Sequence, residues 1–129
     1  MTTTQIFQPG IRMFDGDDLN KAFAIDGGSY LAGIVAAAGG GQANATKLLN
    51  TINEVDTVVT ANDSVMLPQA KPGISVAVIN NTANACQVFG LGTDTINGVA
   101  YGTGVSLPAN KTSLYYCATL GKWFRLLSA

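Results

Sequence analysis

Residues 74–90 read Ile74-Ser75-Val76-Ala77-Val78-Ile79, then Asn80-Asn81-Thr82-Ala83-Asn84, then Ala85-Cys86-Gln87-Val88-Phe89-Gly90. Side chains alternate with a period of two along an extended chain, so Ile74, Val76 and Val78 share one face. After the break, Cys86 and Val88 continue one face, and Ala85, Gln87 and Phe89 make up the other. Asn tolerates the left-handed backbone and hydrogen-bonds locally, so the break predicts a hairpin loop of about four to five residues. This hairpin sets a β architecture and carries no catalytic group.

Short extended runs continue on both sides. Glu54 to Thr60 alternates as a strand, with Val55, Thr57 and Val59 on one face and Val58 on the other. Val65-Met66-Leu67 is stopped by Pro68, Val105-Ser106-Leu107 by Pro108, and Thr95-Ile96-Asn97-Gly98 is a short extended piece. Thr112 to Ala118 and Lys122 to Leu127 pair across Thr119-Leu120-Gly121, with Leu114, Tyr116, Trp123 and Phe124 as their large apolar groups. Frequent short strands with many turn signals predict a mainly β chain, a small antiparallel β-sandwich or jelly-roll-like barrel.

Ahead of the strands the pattern differs. Residues 1–14 read as an extended arm with a turn at Pro9-Gly10 and unpatterned Ile6, Phe7, Ile11, Met13 and Phe14. Asp15 to Phe23 predicts a short helix capped by Asp17, with Leu19 and Phe23 on one side, ended by Gly27-Gly28. Leu31 to Ala45 is mostly Ala and Gly around Gly39-Gly40-Gly41, which places a domain boundary between an N-terminal arm (1–41) and a β domain (42–129). A tight glycine-rich loop inside one domain is the alternative.

Composition narrows the function classes. The chain has 129 residues, one domain's worth, and only 12% are charged, about half the usual share. Few charges on a small domain imply that part of its surface is covered by copies or by a partner. A net charge of −1 with singly scattered basic residues gives no electrostatic footprint for nucleic acid or an anionic membrane. The N-terminus has neither the basic start nor the apolar run of a secretory signal. Leu31 to Ala38, the most apolar segment, is too short to span a bilayer, so a protein folded in a cytosol is expected.

Chemistry is sparse. The chain has no histidine, and its two cysteines, Cys86 and Cys117, read as reduced, buried thiols, although a disulfide is compatible with their spacing. No phosphate loop, dinucleotide fingerprint or nucleophile elbow occurs. Asp15, Asp17 and Asp18 suit a helix start better than a calcium loop, because Asp26 is too short for the closing ligand and Leu19 to Phe23 is apolar. Glu54 and Asp56 share a strand face and read as solvated surface rather than a glycosidase pair. Tyr101, Tyr115, Tyr116 and Trp123 admit a sugar-stacking platform, but core or subunit contact is the simpler role for Tyr116 and Trp123. No cofactor and no metal is expected.

Two stretches carry a resemblance. Ile11-Arg12-Met13-Phe14-Asp15-Gly16-Asp17-Asp18-Leu19-Asn20 resembles an N-terminal motif of small structural proteins of tailed bacteriophages. Asp63-Ser64-Val65-Met66-Leu67-Pro68, Val88-Phe89-Gly90, Asp94-Thr95-Ile96-Asn97-Gly98, Tyr116-Cys117-Ala118 and Gly121-Lys122-Trp123-Phe124 together look like a phage virion domain of head decoration (cement), head-fibre and tail-associated proteins. The resemblance implies a non-enzymatic component on the capsid surface, synthesised in the host cytoplasm. Its partners would be the major capsid protein and copies of itself, with a trimer favoured. The arm residues Ile11, Arg12, Phe14, Asp15 and Leu19 would then make the capsid or subunit contacts. A tail or fibre module that binds a host glycan or receptor is the alternative.

Overall fold

The structure is a computed structural model that describes residues 29–129. It is mainly β: β1 (Tyr30–Val35), β2 (Thr46–Lys47), β3 (Ile52–Thr57), β4 (Ser64–Met66), β5 (Ser75–Asn80), β6 (Cys86–Phe89), β7 (Thr95–Ile96), β8 (Val105–Leu107), β9 (Thr112–Thr119) and β10 (Lys122–Leu127). Among the described residues there is no helix. The short helix expected over Asp15 to Phe23 lies outside the described residues.

Two sheets face each other, one six-stranded in the order β1-β3-β5-β9-β10-β7 and one four-stranded in the order β2-β4-β6-β8. The antiparallel sandwich expected from the sequence is corrected here. β1, β3 and β5 run parallel, as do β2, β4 and β6, so the chain winds through three coils of a short β-solenoid. Between the named strands, antiparallel pairing begins only at the end of the winding. There β9 lies against β5, β8 against β6, and β10 against β9. The expected pairing of Thr112–Ala118 with Lys122–Leu127 is this last one.

The stretch 74–90 is a strand–break–strand unit, but not a hairpin. β5 stays in the six-stranded sheet and β6 crosses to the four-stranded one, so Asn80 to Ala85 is a corner between sheets. Buried amides hold that corner. Asn80 Nδ2 donates to the carbonyls of Asn84 (2.9 Å), Leu107 (3.1 Å) and Pro108 (3.2 Å), and its Oδ1 accepts from Thr82 Oγ1 at 2.8 Å. A buried main-chain carbonyl without a partner is costly, so a corner made inside the body needs such donors. One coil earlier, buried Asn53 donates to the carbonyls of Asn50 (2.7 Å) and Ala77 (3.2 Å).

The boundary expected near residue 41 also shifts. Tyr30 to Val35 pairs with β3, Ala36 N donates to Thr57 O and Ala37 N to Ser64 O, so the folded body already includes the Ala- and Gly-rich segment. Gly39, Gly40 and Gly41 all have positive φ, and a Cβ on Gly40 would sit 3.0 Å from Asn62 O. The tight loop within one domain is what this stretch forms.

The core fills the space between the sheets. Val55, Val76, Val78, Tyr115, Cys117 and Trp123 point in from the six-stranded sheet, and Val65, Cys86, Val88 and Leu107 meet them from the other. Both cysteines are free and buried, in keeping with the reading as reduced thiols.

Candidate interaction face

The two sheets differ on their outer sides. The four-stranded sheet is roofed by its own chain: Met66, Phe89 and Ala45 form a second buried cluster. Gln42 holds that roof by donating to the carbonyls of Gly90 and Gly92, each at 2.8 Å. Gly104 passes so close that a Cβ there would meet Phe89 Cε2 at 2.8 Å. No described residue roofs the six-stranded sheet in this way, and its outer side chains are open.

Register places those side chains in rows. Ile52 pairs with Ala77, Ala77 with Leu114 and Leu114 with Leu126, an uninterrupted apolar row across β3, β5, β9 and β10. The next row runs from Ser75 to Tyr116 to Phe124. Tyr116 and Phe124 stack with ring centroids 5.8 Å apart. Tyr30 (57% exposed), Leu126 (58%) and Leu114 (40%) remain far more open than their size warrants. The alternation responsible is strict: Ser113, Tyr115 and Cys117 are buried while Leu114 and Tyr116 between them are not.

Polar groups sit at the end of this face where β3 and β5 finish. Tyr30 OH donates to Glu54 Oε1 at 2.6 Å, Gly33 N to Asp56 Oδ2 at 2.6 Å, and Asn81 Nδ2 to Asp56 Oδ1 at 3.2 Å. The Gly33 N–H, then Asn81 and Glu54, hold the Asp56 carboxyl below its ordinary range, and the bond to Glu54 raises the Tyr30 hydroxyl. Each carboxylate is thus occupied by a neutral donor. The pair is half-buried on this face, its oxygens taken by Tyr30, Gly33 and Asn81.

The arm residues Ile11, Arg12, Phe14, Asp15 and Leu19, and the acidic cluster Asp15, Asp17, Asp18 and Asp26, lie outside the described residues. No group of three or more His, Cys, Asp or Glu suited to a metal occurs among the described residues. Of the aromatics considered for sugar stacking, Trp123 and Tyr115 are fully buried in the core, while Tyr101 and Tyr116 are exposed on different parts of the surface. The structure brings together a set that the sequence scatters: Ile52, Leu114, Tyr116, Phe124 and Leu126. Alternation in Thr112 to Ala118 was the available signal, but both of its faces carry large apolar groups, so it did not say which side was in.

Comparison with protein-family models, curated proteins and solved structures finds no match to this chain.

Proposed function

We propose that this chain is a non-enzymatic structural component of a tailed-phage virion. In this reading it sits on the outside of the capsid lattice as a decoration (cement) or head-fibre protein and stabilises the shell. The observation that carries the reading is the open apolar row Ile52–Ala77–Leu114–Leu126 with the Tyr116–Phe124 stack beside it, on a chain with only 12% charged residues. A sheet face of this kind is a surface for assembly with protein rather than for chemistry. Many equivalent sites on a shell reward a small protein that binds its own copies and its lattice at once, because linked contacts add avidity. The motif from Ile11 to Asn20 supports a division of labour in which the arm, through Ile11, Arg12, Phe14, Asp15 and Leu19, docks on the major capsid protein, while the open sheet face binds copies.

The test is co-sedimentation with capsids of the virion that carries the protein. Removal of residues 1–28 is expected to leave the β body folded and to abolish binding. Full occupancy by the truncated protein overturns the reading.

A further inference from the structure

The open face is asymmetric in charge. Its centre is uncharged, with Ile52, Ala77, Leu114 and Leu126 in one row and Ser75, Tyr116 and Phe124 in the next. Glu54 and Asp56 stand at the end where β3 and β5 finish, held by Tyr30, Gly33 and Asn81 rather than by a cation. Lys71, in the turn where Ile74 N donates to its carbonyl, and Lys122, the first residue of β10, stand at the opposite end, where β5 and β10 begin. Asp94 is the acid beside them, its carboxylate taken by Ala70 N at 2.8 Å. Among the described residues, Lys111 is the one lysine near the acidic end, on the turn before β9 and separated from the acid pair by β5.

A surface with an apolar centre, an acidic end and a basic end is complementary to itself when turned end for end. We propose that the open face packs on the same face of a second copy about a two-fold axis lying between the sheets. Glu54 and Asp56 of each copy, on β3, then face Lys71 of the other, which stands before the start of the neighbouring strand β5. Such an interface is isologous and closes at two copies, with a dry centre and a charged rim. It has the geometry of two sheets packed face to face at about 10 Å. A trimer that uses this face has no such match: a three-fold repeat sets different edges of the face together and does not superimpose the strand ends. The inference rests on the reading of the face as an assembly surface and replaces the trimer expected from the sequence with a pair.

The experiment is light scattering of the full chain, with circular dichroism as the check on folding. The wild type is expected at twice the chain mass of 13.3 kDa. Leu114→Glu combined with Leu126→Glu is expected to run at the single-chain mass with an unchanged spectrum. Leu49→Glu, at a side chain 81% exposed outside the sheets, is expected to stay paired. Lys71→Glu is expected to weaken pairing about tenfold, and adding Glu54→Lys to restore it. A wild type at the mass of one or three chains overturns the proposal, as does a charge swap that fails to rescue. A pair that forms as described but does not bind capsids leaves this inference standing and removes the virion reading instead.

Discussion

Asn80, the last residue of β5 in one sheet, donates its side-chain amide to the carbonyl of Leu107, the last residue of β8 in the other, at 3.1 Å. The same amide serves Asn84 and Pro108, so one buried side chain joins the corner after β5 to the strand that closes the smaller sheet. Asn80→Leu removes these donors and strands buried carbonyls. A loss of about 1–3 kcal/mol follows, which in a domain of this size lowers Tm by about 4–8 °C for each kcal/mol. Thermal melts of the two proteins check it, and an unchanged Tm would show that the corner is held by packing alone.

Two glycines with the same backbone habit separate strain from crowding. Gly98 (φ 76°) has open space where a Cβ would go, whereas at Gly104 (φ 77°) that Cβ would lie 2.8 Å from Gln87 Cγ and Phe89 Cε2. Alanine at either position costs about 1–2 kcal/mol for the left-handed backbone. At Gly104 it adds about 1–3 kcal/mol of overpacking against the roof of the smaller sheet. Urea midpoints are therefore expected to fall further for Gly104→Ala than for Gly98→Ala. Equal midpoints would mean that the roof yields freely.

Acid sensitivity centres in part on Asp56. Its carboxyl is held below the usual carboxylate range, chiefly by the Gly33 N–H. The unfolded chain therefore binds the proton first as pH falls. The stabilisation is present above about pH 4 and is lost as pH drops through the lower folded value. Asp56→Asn is expected to flatten this part of the profile of Tm against pH below 4. Parallel profiles for the two proteins would show that Gly33 and Asn81 contribute nothing through Asp56.

Tyr115 carries part of the alkaline limb, beside Tyr30 and Cys86, whose thiol is pushed up to about 11 by burial. Burial pushes the Tyr115 hydroxyl up to about 12, with Ser113 and Arg125 opposing weakly from outside hydrogen-bonding geometry. The folded state holds the proton that the unfolded state gives up near 10, so stability falls between about pH 10 and 12. Tyr115→Phe is expected to remove that share of the fall. Near neutral pH it is expected to be neutral or slightly stabilising, since the buried hydroxyl has no partner to lose. A steeper alkaline limb in Tyr115→Phe would contradict this assignment.

Much of the strand inventory was legible because it depends on local chemistry. Val65-Met66-Leu67 ended at Pro68, and Val105-Ser106-Leu107, ended by Pro108, became β8. Alternation groups Val76 with Val78 and Cys86 with Val88, and the structure buries both pairs. The coil repeat was also written in the chain: Thr60-Ala61-Asn62 returns as Thr82-Ala83-Asn84. In the structure the two stretches lie against each other, with Asn62 N donating to Ala85 O and Asn84 Nδ2 to Val58 O. That echo is short, and it competes with Asn-rich turn chemistry that reads equally well as a hairpin.

By itself, then, the sequence determined most of the extended segments after Ile52, where several of them stop, and that few charges are available to cover the surface. Those are properties of neighbouring residues and of composition. Only the tertiary structure decided that β5 and β6 part company into two sheets, that Tyr30 to Val35 belongs to the body, and that Leu114 and Tyr116 face outward while Tyr115 and Trp123 fill the core. The reason is physical. A period of two assigns residues to two faces but is silent about which face is buried and which strand lies alongside. Both are settled by contacts between coils that are distant in sequence, where one buried amide at Asn80 or one roofing loop at Gly104 tips the choice.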